Sequence, residues 1–338
     1  MKRLLFALLA LATTTNALEA QDRRLLTMEE TILSRELIPE NKYILWGEDE
    51  KGKTIYGEAL SRQEINWYYP VSGKAATAAE PTQSTAPRYF TEQNNLYAEV
   101  AGEKIAITSV EDRNIVSGSF VSRNEFGIET GIFPSPDGLS VAFYQKDESQ
   151  VTDFPLLDIT SRTGSLVEIK YPMAGMPSER VSLGVWDSRS QQTVWLNVTD
   201  FDQERYLTNI TWSPNGELIY IQVLNRDQNE MHLNSYSVAT GELVEALFTE
   251  SDSRYVEPLY PLYWVGNEGN KFIYSTNVRD GYWSLYLYER QEDGAWTHKR
   301  LTRVDADVKY VAHIGDWAYY YTCLLYTSPS PRDATLSR

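Results

Sequence analysis

One short element recurs along the chain and restricts its fold more than any other feature. Phe133-Pro134-Ser135-Pro136-Asp137-Gly138 precedes the run Leu139-Ser140-Val141-Ala142-Phe143-Tyr144, and Thr211-Trp212-Ser213-Pro214-Asn215-Gly216 precedes Leu218-Ile219-Tyr220-Ile221-Gln222-Val223. Tyr263-Trp264-Val265-Gly266-Asn267, ahead of Lys271-Phe272-Ile273-Tyr274, is a weaker third copy. In the full copies an aromatic closes one strand, proline sets φ at about −65°, and Asp-Gly or Asn-Gly supplies the positive φ of a tight hairpin. Ser135 and Ser213 are 78 residues apart, and Trp212 and Trp264 are 52 apart. For blades of roughly 40 to 50 residues those separations are two blades and one, so the pattern predicts an all-β fold, a β-propeller. An irregular β-sandwich is the alternative fold. Short alternating runs continue from about Glu29 to Thr322, Trp283 to Tyr288 among them, as a many-stranded antiparallel fold requires.

The ends read differently from the middle. Lys2-Arg3, the apolar Leu4 to Ala12 and the small polar run to Ala17 form a secretory signal peptide over 1–17, too short in its apolar part to span a bilayer. Export to a bacterial periplasm is therefore expected. At the other end the alternation stops after Thr322. Cys323-Leu324-Leu325-Tyr326-Thr327-Ser328-Pro329-Ser330-Pro331-Arg332-Asp333 reads as translated adapter sequence, so 323–338 is expected to be non-native and 18–322 to be a truncated propeller. Cys323 is the one cysteine, which excludes an intrachain disulfide and a cysteine-based zinc site. With 47 acidic against 31 basic residues, a net charge of −16 and no basic cluster, nucleic acid is excluded as a partner.

Two segments break the strand rhythm. Val71 to Pro87 is rich in Ser, Ala, Thr and Pro and reads as a surface insertion. Asp112 to Glu129 mixes apolar and charged residues with few turn signals, so it is expected to leave the sheet as a helical or extended excursion, where binding residues tend to lie.

At that excursion the chain becomes recognisable. Asn95-Leu96-Tyr97, Ile115-Val116-Ser117-Gly118, Arg123-Asn124-Glu125-Phe126-Gly127-Ile128 and Ser135-Pro136-Asp137-Gly138 occur in order. Asp147-Glu148-Ser149, Tyr171-Pro172-Met173-Ala174-Gly175, Leu207 to Pro214, Asn225-Arg226-Asp227-Gln228-Asn229 and Tyr255-Val256-Glu257-Pro258 follow. Together they resemble the N-terminal propeller of the dipeptidyl peptidase IV family of serine peptidases, and among its members the bacterial prolyl tripeptidyl peptidase type.

The resemblance implies an eight-bladed propeller, here incomplete, capping an α/β-hydrolase domain downstream. It implies an exopeptidase that removes N-terminal di- or tripeptides with Pro at the cleavage point. Its partners would be a peptide with a free N-terminus, the hydrolase domain and, in a homodimer, a second copy of the chain. In dipeptidyl members two adjacent glutamates hold the substrate ammonium; here the matching position is Glu125 alone, which favours the tripeptidyl-like form. Two further departures are Pro134, where the family often has Trp, and Ser122, where His often precedes the Arg-Asn-Glu run. A fixed carboxylate in a water-poor cavity would tell an ammonium from an internal amide, because only the cation offsets its desolvation. Glu129 is the weaker candidate, sharing a face with Glu125 if the segment is helical.

No Gly-x-Ser-x-Gly elbow occurs, so the Ser-Asp-His triad is absent from this chain. His232, His298 and His313 lie in or beside strand-like runs with no nucleophile nearby in sequence, and Asp147-Glu148-Ser149 reads as a solvated turn. No metal site and no cofactor are expected. The competing function is a stand-alone periplasmic β-propeller acting as a binding or scaffold protein.

Overall fold

A computed structural model of the chain describes residues 43–322, apart from 52, 62–63, 70–71, 78–85 and 315–316. The leader reading of 1–17 and the tail reading of 323–338 fall outside the described residues. The chain divides into two compact units, 1–82 and 83–338.

The first unit holds β1 (Tyr43–Glu48), β2 (Thr54–Ser61), β3 (Glu64–Tyr68) and β4 (Ala75–Ala76), paired antiparallel in that order. Of the segment read as a surface insertion, Ala75 and Ala76 join this sheet opposite Tyr68 and Trp67; 71 and 78–85 lie outside the described residues.

In the second unit β5 (Arg88–Glu92), β6 (Asn95–Val100) and β7 (Glu103–Ala106) form a three-stranded meander. The next sheet gathers β8 (Ile115–Ser117), β9 (Ile132–Pro134) and β10 (Ser140–Asp147), then skips the separate hairpin β11 (Asp153–Asp158) and β12 (Ser165–Lys170) to take in β13 (Arg180–Asp187) and β14 (Gln192–Trp195). Two four-stranded meanders follow. They are β15 (Tyr206–Trp212), β16 (Leu218–Leu224), β17 (Glu230–Ser237) and β18 (Leu243–Ser251), then β19 (Tyr263–Trp264), β20 (Lys271–Thr276), β21 (Ser284–Arg290) and β22 (Trp296–Arg300). The pair β23 (Val308–Ile314) and β24 (Trp317–Thr322) completes five blades in a propeller arrangement.

The blades are joined by cores that lie between them. Leu96 packs with Val141, Phe143 and Trp186; Tyr144 and Leu183 with Leu207 and Ile219; Tyr220 and Leu224 with Phe272 and Tyr288; Ile273 and Leu285 with Val308. A central strand therefore has an apolar neighbour on both faces, and β16 is buried at every residue from Ile219 to Leu224. That is why its sequence is a near-continuous apolar run rather than an alternating one.

The repeated turn is the same object in both full copies. Ser135 Oγ lies 2.5 Å from Asp137 Oδ1 and accepts the Ser140 N–H at 2.9 Å. Ser213 Oγ donates to Asn215 Oδ1 at 2.7 Å and accepts the Leu218 N–H at 2.9 Å. Only the glycines take positive φ, 72° at Gly138 and 73° at Gly216, so these are turns closed by one left-handed glycine. The aromatics at the turns also tie blade to blade: Trp264 Nε1 donates to the Trp212 carbonyl at 2.7 Å, and Trp212 Nε1 to the Phe133 carbonyl at 2.9 Å. Pro134 has no such donor, and the link to the preceding blade is made from the other side, by Tyr89 Oη donating to the Gly138 carbonyl at 3.0 Å.

The spacing argument needs one correction. The first two turn copies sit on consecutive blades, not two blades apart, because the hairpin β11–β12 is inserted between β10 and β13. An insertion that pairs with itself lengthens a connection at little loop-closure cost, so it stretches the repeat without adding a blade.

Candidate functional site

Of the excursion expected over Asp112 to Glu129, Ile115–Ser117 stays in the sheet as β8, paired with β10; the part between β8 and β9 leaves the sheet, but not as a helix. Ser122–Gly127 has 3₁₀ character interrupted by left-handed residues: φ is 52° at Ser122, 51° at Arg123, 66° at Asn124 and 56° at Phe126, while Glu125 is extended at φ −70°, ψ 168°. Such conformations carry roughly 1–3 kcal/mol of strain each and persist only where the surroundings hold them. The holding is done by apolar residues on either side of Glu125. Val121 and Ile128 are buried in the core shared with Tyr144 and Leu207. Phe126 is buried in the next core, its ring 5.0 Å from that of Tyr206. Local bonds finish the turn: Asn124 Nδ2 donates to the Ile128 carbonyl at 3.1 Å and the Ile128 N–H to the Glu125 carbonyl at 3.0 Å. Gly127 is required at φ 71°, since a Cβ there would meet the Leu259 carbonyl oxygen at 2.7 Å.

Glu125 is thus lifted between two inter-blade cores to the wall of a cleft of about 230 Å³, which Tyr171, Glu179, Tyr206 and Arg226 also line. The other charged groups there are engaged. Glu204 meets Arg226 Nε at 3.4 Å, Arg226 Nη1 reaches the Tyr206 hydroxyl, and Arg123 stacks over the Tyr171 ring at 4.4 Å. Arg205 donates to the carbonyls of Val198 at 2.6 Å and Asp202 at 2.9 Å. The Glu125 carboxylate has no hydrogen bond or ion pair among the described residues, and its side chain is exposed. The site is therefore an open cleft rather than the water-poor cavity expected for this carboxylate. Glu129 does not line the cleft; with no helix between them, the four-residue spacing to Glu125 does not put the two on one face. A larger groove of about 620 Å³, beside Asp187, Glu217 and Val244, contains neither Glu125 nor Glu129.

Residues 48–325 match the family described as the dipeptidyl peptidase IV N-terminal region. The chain belongs to that family. It is 24% identical over 278 residues to dipeptidyl-aminopeptidase B of Aspergillus niger, covering 69% of this chain and 30% of that relative. Among solved structures, a dipeptidyl aminopeptidase IV from Bacteroides ovatus shares 33% identity at a TM-score of 0.56, over 76% of this chain and 39% of the other. Dipeptidyl peptidase 4 of Porphyromonas gingivalis shares the fold at a TM-score of 0.59 and 20% identity, over 85% of this chain and 43% of the other. The chain spans less than half the length of each.

Within this dipeptidyl peptidase IV N-terminal region four further motif residues line the cleft. Tyr171 and Pro172 reach it from the strand end after β12, and Arg226 and Gln228 from the turn between β16 and β17. Asp147 accepts the Ser149 N–H at 2.8 Å, as a turn residue does. Glu148 is not a solvated acid: it pairs with Lys146 at 2.8 Å, and the two side chains are only 13% and 14% exposed.

His232 lies in β17, His298 in β22 and His313 in β23. His232 has a carboxylate on each ring nitrogen, Asp200 Oδ1 at 2.7 Å and Glu230 Oε1 at 2.9 Å, with Asn234 and Tyr236 completing the shell of Asp200. Burial opposes its charge, but the two carboxylates outweigh burial and raise its pKa. This is an ion-pair network without a nucleophile. Among the described residues no group of three or more His, Cys, Asp and Glu could hold a metal ion.

Among the cleft residues that the sequence reading did not single out are Glu179 and Tyr206. Glu179 is an isolated acid in a loop, and Tyr206 looks like any strand tyrosine; only the fold brings them beside Glu125.

Proposed function

We propose that this chain is the propeller portion of an exported serine exopeptidase that removes N-terminal di- or tripeptides with Pro at the cleavage point, with Glu125 anchoring the substrate ammonium. An α/β-hydrolase domain downstream would supply the Ser-Asp-His triad, and the propeller would restrict access to it. The observation that carries the reading is the presentation of Glu125: an unpaired carboxylate on a strained turn, locked between two cores at the wall of a cleft. Strained backbone in an otherwise regular scaffold is characteristic of binding sites, and an unmatched carboxylate favours a cation over an amide. Periplasmic location follows from the leader reading of 1–17. A homodimer is supported by the hairpin β11–β12, which exposes Leu157 and Leu166 at 65% and 73%; apolar surface gathered outside the cores is a surface for association.

Titrating the full chain with an Ala-Pro-containing peptide and its N-acetylated form tests the anchoring role. Because Glu125 is solvated in this chain, the free amine should bind up to about fivefold more tightly rather than the thousandfold of a dry pair, and Glu125→Gln should abolish the preference. Equal binding of the two peptides would favour the scaffold alternative.

A further inference from the structure

Glu179 lies between β12 and β13, buried to 9% exposure, and its Oε1 accepts the Ser122 N–H at 2.5 Å. Ser122 is the first of the left-handed residues that lead into Glu125. We propose that Glu179 is a positioning residue that sets the strained turn and so aims Glu125, an inference that rests on the ammonium-anchoring role of Glu125.

Three observations carry it. The apolar contacts of Val121, Phe126 and Ile128 determine where the turn sits, but they are non-directional and do not choose its sense of rotation. The bonds made by Asn124 and Ile128 are internal to the segment and would survive its rotation as a unit. The bond to Glu179 joins the turn to a different part of the chain, 57 residues away, and it is directional. Its charge also has no cation: Glu179 forms no ion pair among the described residues, and a buried carboxylate is retained only against compensating donors. The Ser122 N–H is such a donor, and charge-assisted bonds of this kind are about twice as strong as neutral ones. Loss of the carboxylate would leave the four left-handed residues without the hydrogen bond that joins them to a distant part of the chain.

The test uses the full chain with Glu179→Ala, which removes the acceptor, and Glu179→Gln, which keeps an acceptor oxygen without the charge. Hydrogen exchange at the Ser122 amide reads the bond directly, and the preference for the free-amine peptide over its acetylated form reads the aim of Glu125. Exchange should be about tenfold faster in Glu179→Ala and only about threefold faster in Glu179→Gln, which keeps a neutral acceptor. The amine preference should vanish in Glu179→Ala and persist in Glu179→Gln. Unchanged exchange at Ser122 in Glu179→Ala overturns the proposal, as does loss of the preference in Glu179→Gln, which would make Glu179 a direct charge partner of the ligand. Should Glu179→Ala not fold, the Glu179→Gln outcome alone decides. A parent chain with no amine preference would sink the ammonium role of Glu125, while the exchange measurement still judges the positioning role.

Discussion

Blade β15–β18 and blade β8–β14 open on the same turn, with the same serine-to-Asx bonds and the same left-handed glycine, yet they are built differently. The first is an uninterrupted meander from Tyr206 to Ser251. The second is broken twice, by the Glu125 excursion between β8 and β9 and by the hairpin β11–β12 between β10 and β13. Both still bury their central strands between neighbouring blades. A blade therefore tolerates interruption at its connections, because the turn chemistry is local and the cores are made by β10, β13, β16 and β17, which the interruptions leave whole. The two interruptions are unlike each other. The excursion returns Val121, Phe126 and Ile128 to the cores, while the hairpin keeps its apolar residues outside.

The largest expected effect falls on that contrast. If the excursion is part of the core, Phe126→Ala should lower the unfolding free energy by about 3 kcal/mol in urea titration and erase the free-amine preference. A loss below about 1 kcal/mol would make the excursion a surface loop like the hairpin.

A smaller effect separates the blades by pH. The uninterrupted blade carries His232 against Asp200 and Glu230. Burial disfavours the charge of Asp200, but hydrogen bonds from His232, Asn234 and Tyr236 outweigh it and lower its pKa, while that of His232 is raised. The histidine contribution is complete below its ordinary value of about 6.5 and fades as pH rises through the higher folded value; the Asp200 contribution is complete above about 3.9 and fades as pH falls through the lower one. The melting-temperature gap between parent and His232→Gln should thus be widest at about pH 5 and shrink toward about pH 9. A gap that widens toward alkaline pH would mean that the neutral imidazole is the stabilising form.

The smallest effect belongs to the hairpin. Leu157 and Leu166 face each other across it in register, and replacing both by Ser should change the unfolding free energy by less than about 0.5 kcal/mol while shifting any dimer toward monomer in sedimentation. A loss above about 2 kcal/mol without a change of assembly would place the hairpin in the core and remove its role in a homodimer.

What was legible in the sequence follows the range of the interactions. The strands around Val141, Ile219 and Phe272 and the turns before them were readable because their signals lie within six residues. The excursion was readable as an interruption, and Glu125 through the family resemblance of Arg123 to Ile128. Its conformation was not, because nothing in Ser-Arg-Asn-Glu-Phe announces four left-handed residues; the spacing of 78 misled for a similar reason, since a self-paired hairpin and a blade look alike in sequence.

By itself the sequence determined the class of fold, through local turn chemistry and apolar runs that need no distant partner, and it marked the candidate carboxylate through the family resemblance of Arg123 to Ile128. Only the tertiary structure decided where that carboxylate sits. The strain of its turn is balanced by two cores and by the buried Glu179, 57 residues further along the chain, and such balance exists only once the blades have packed.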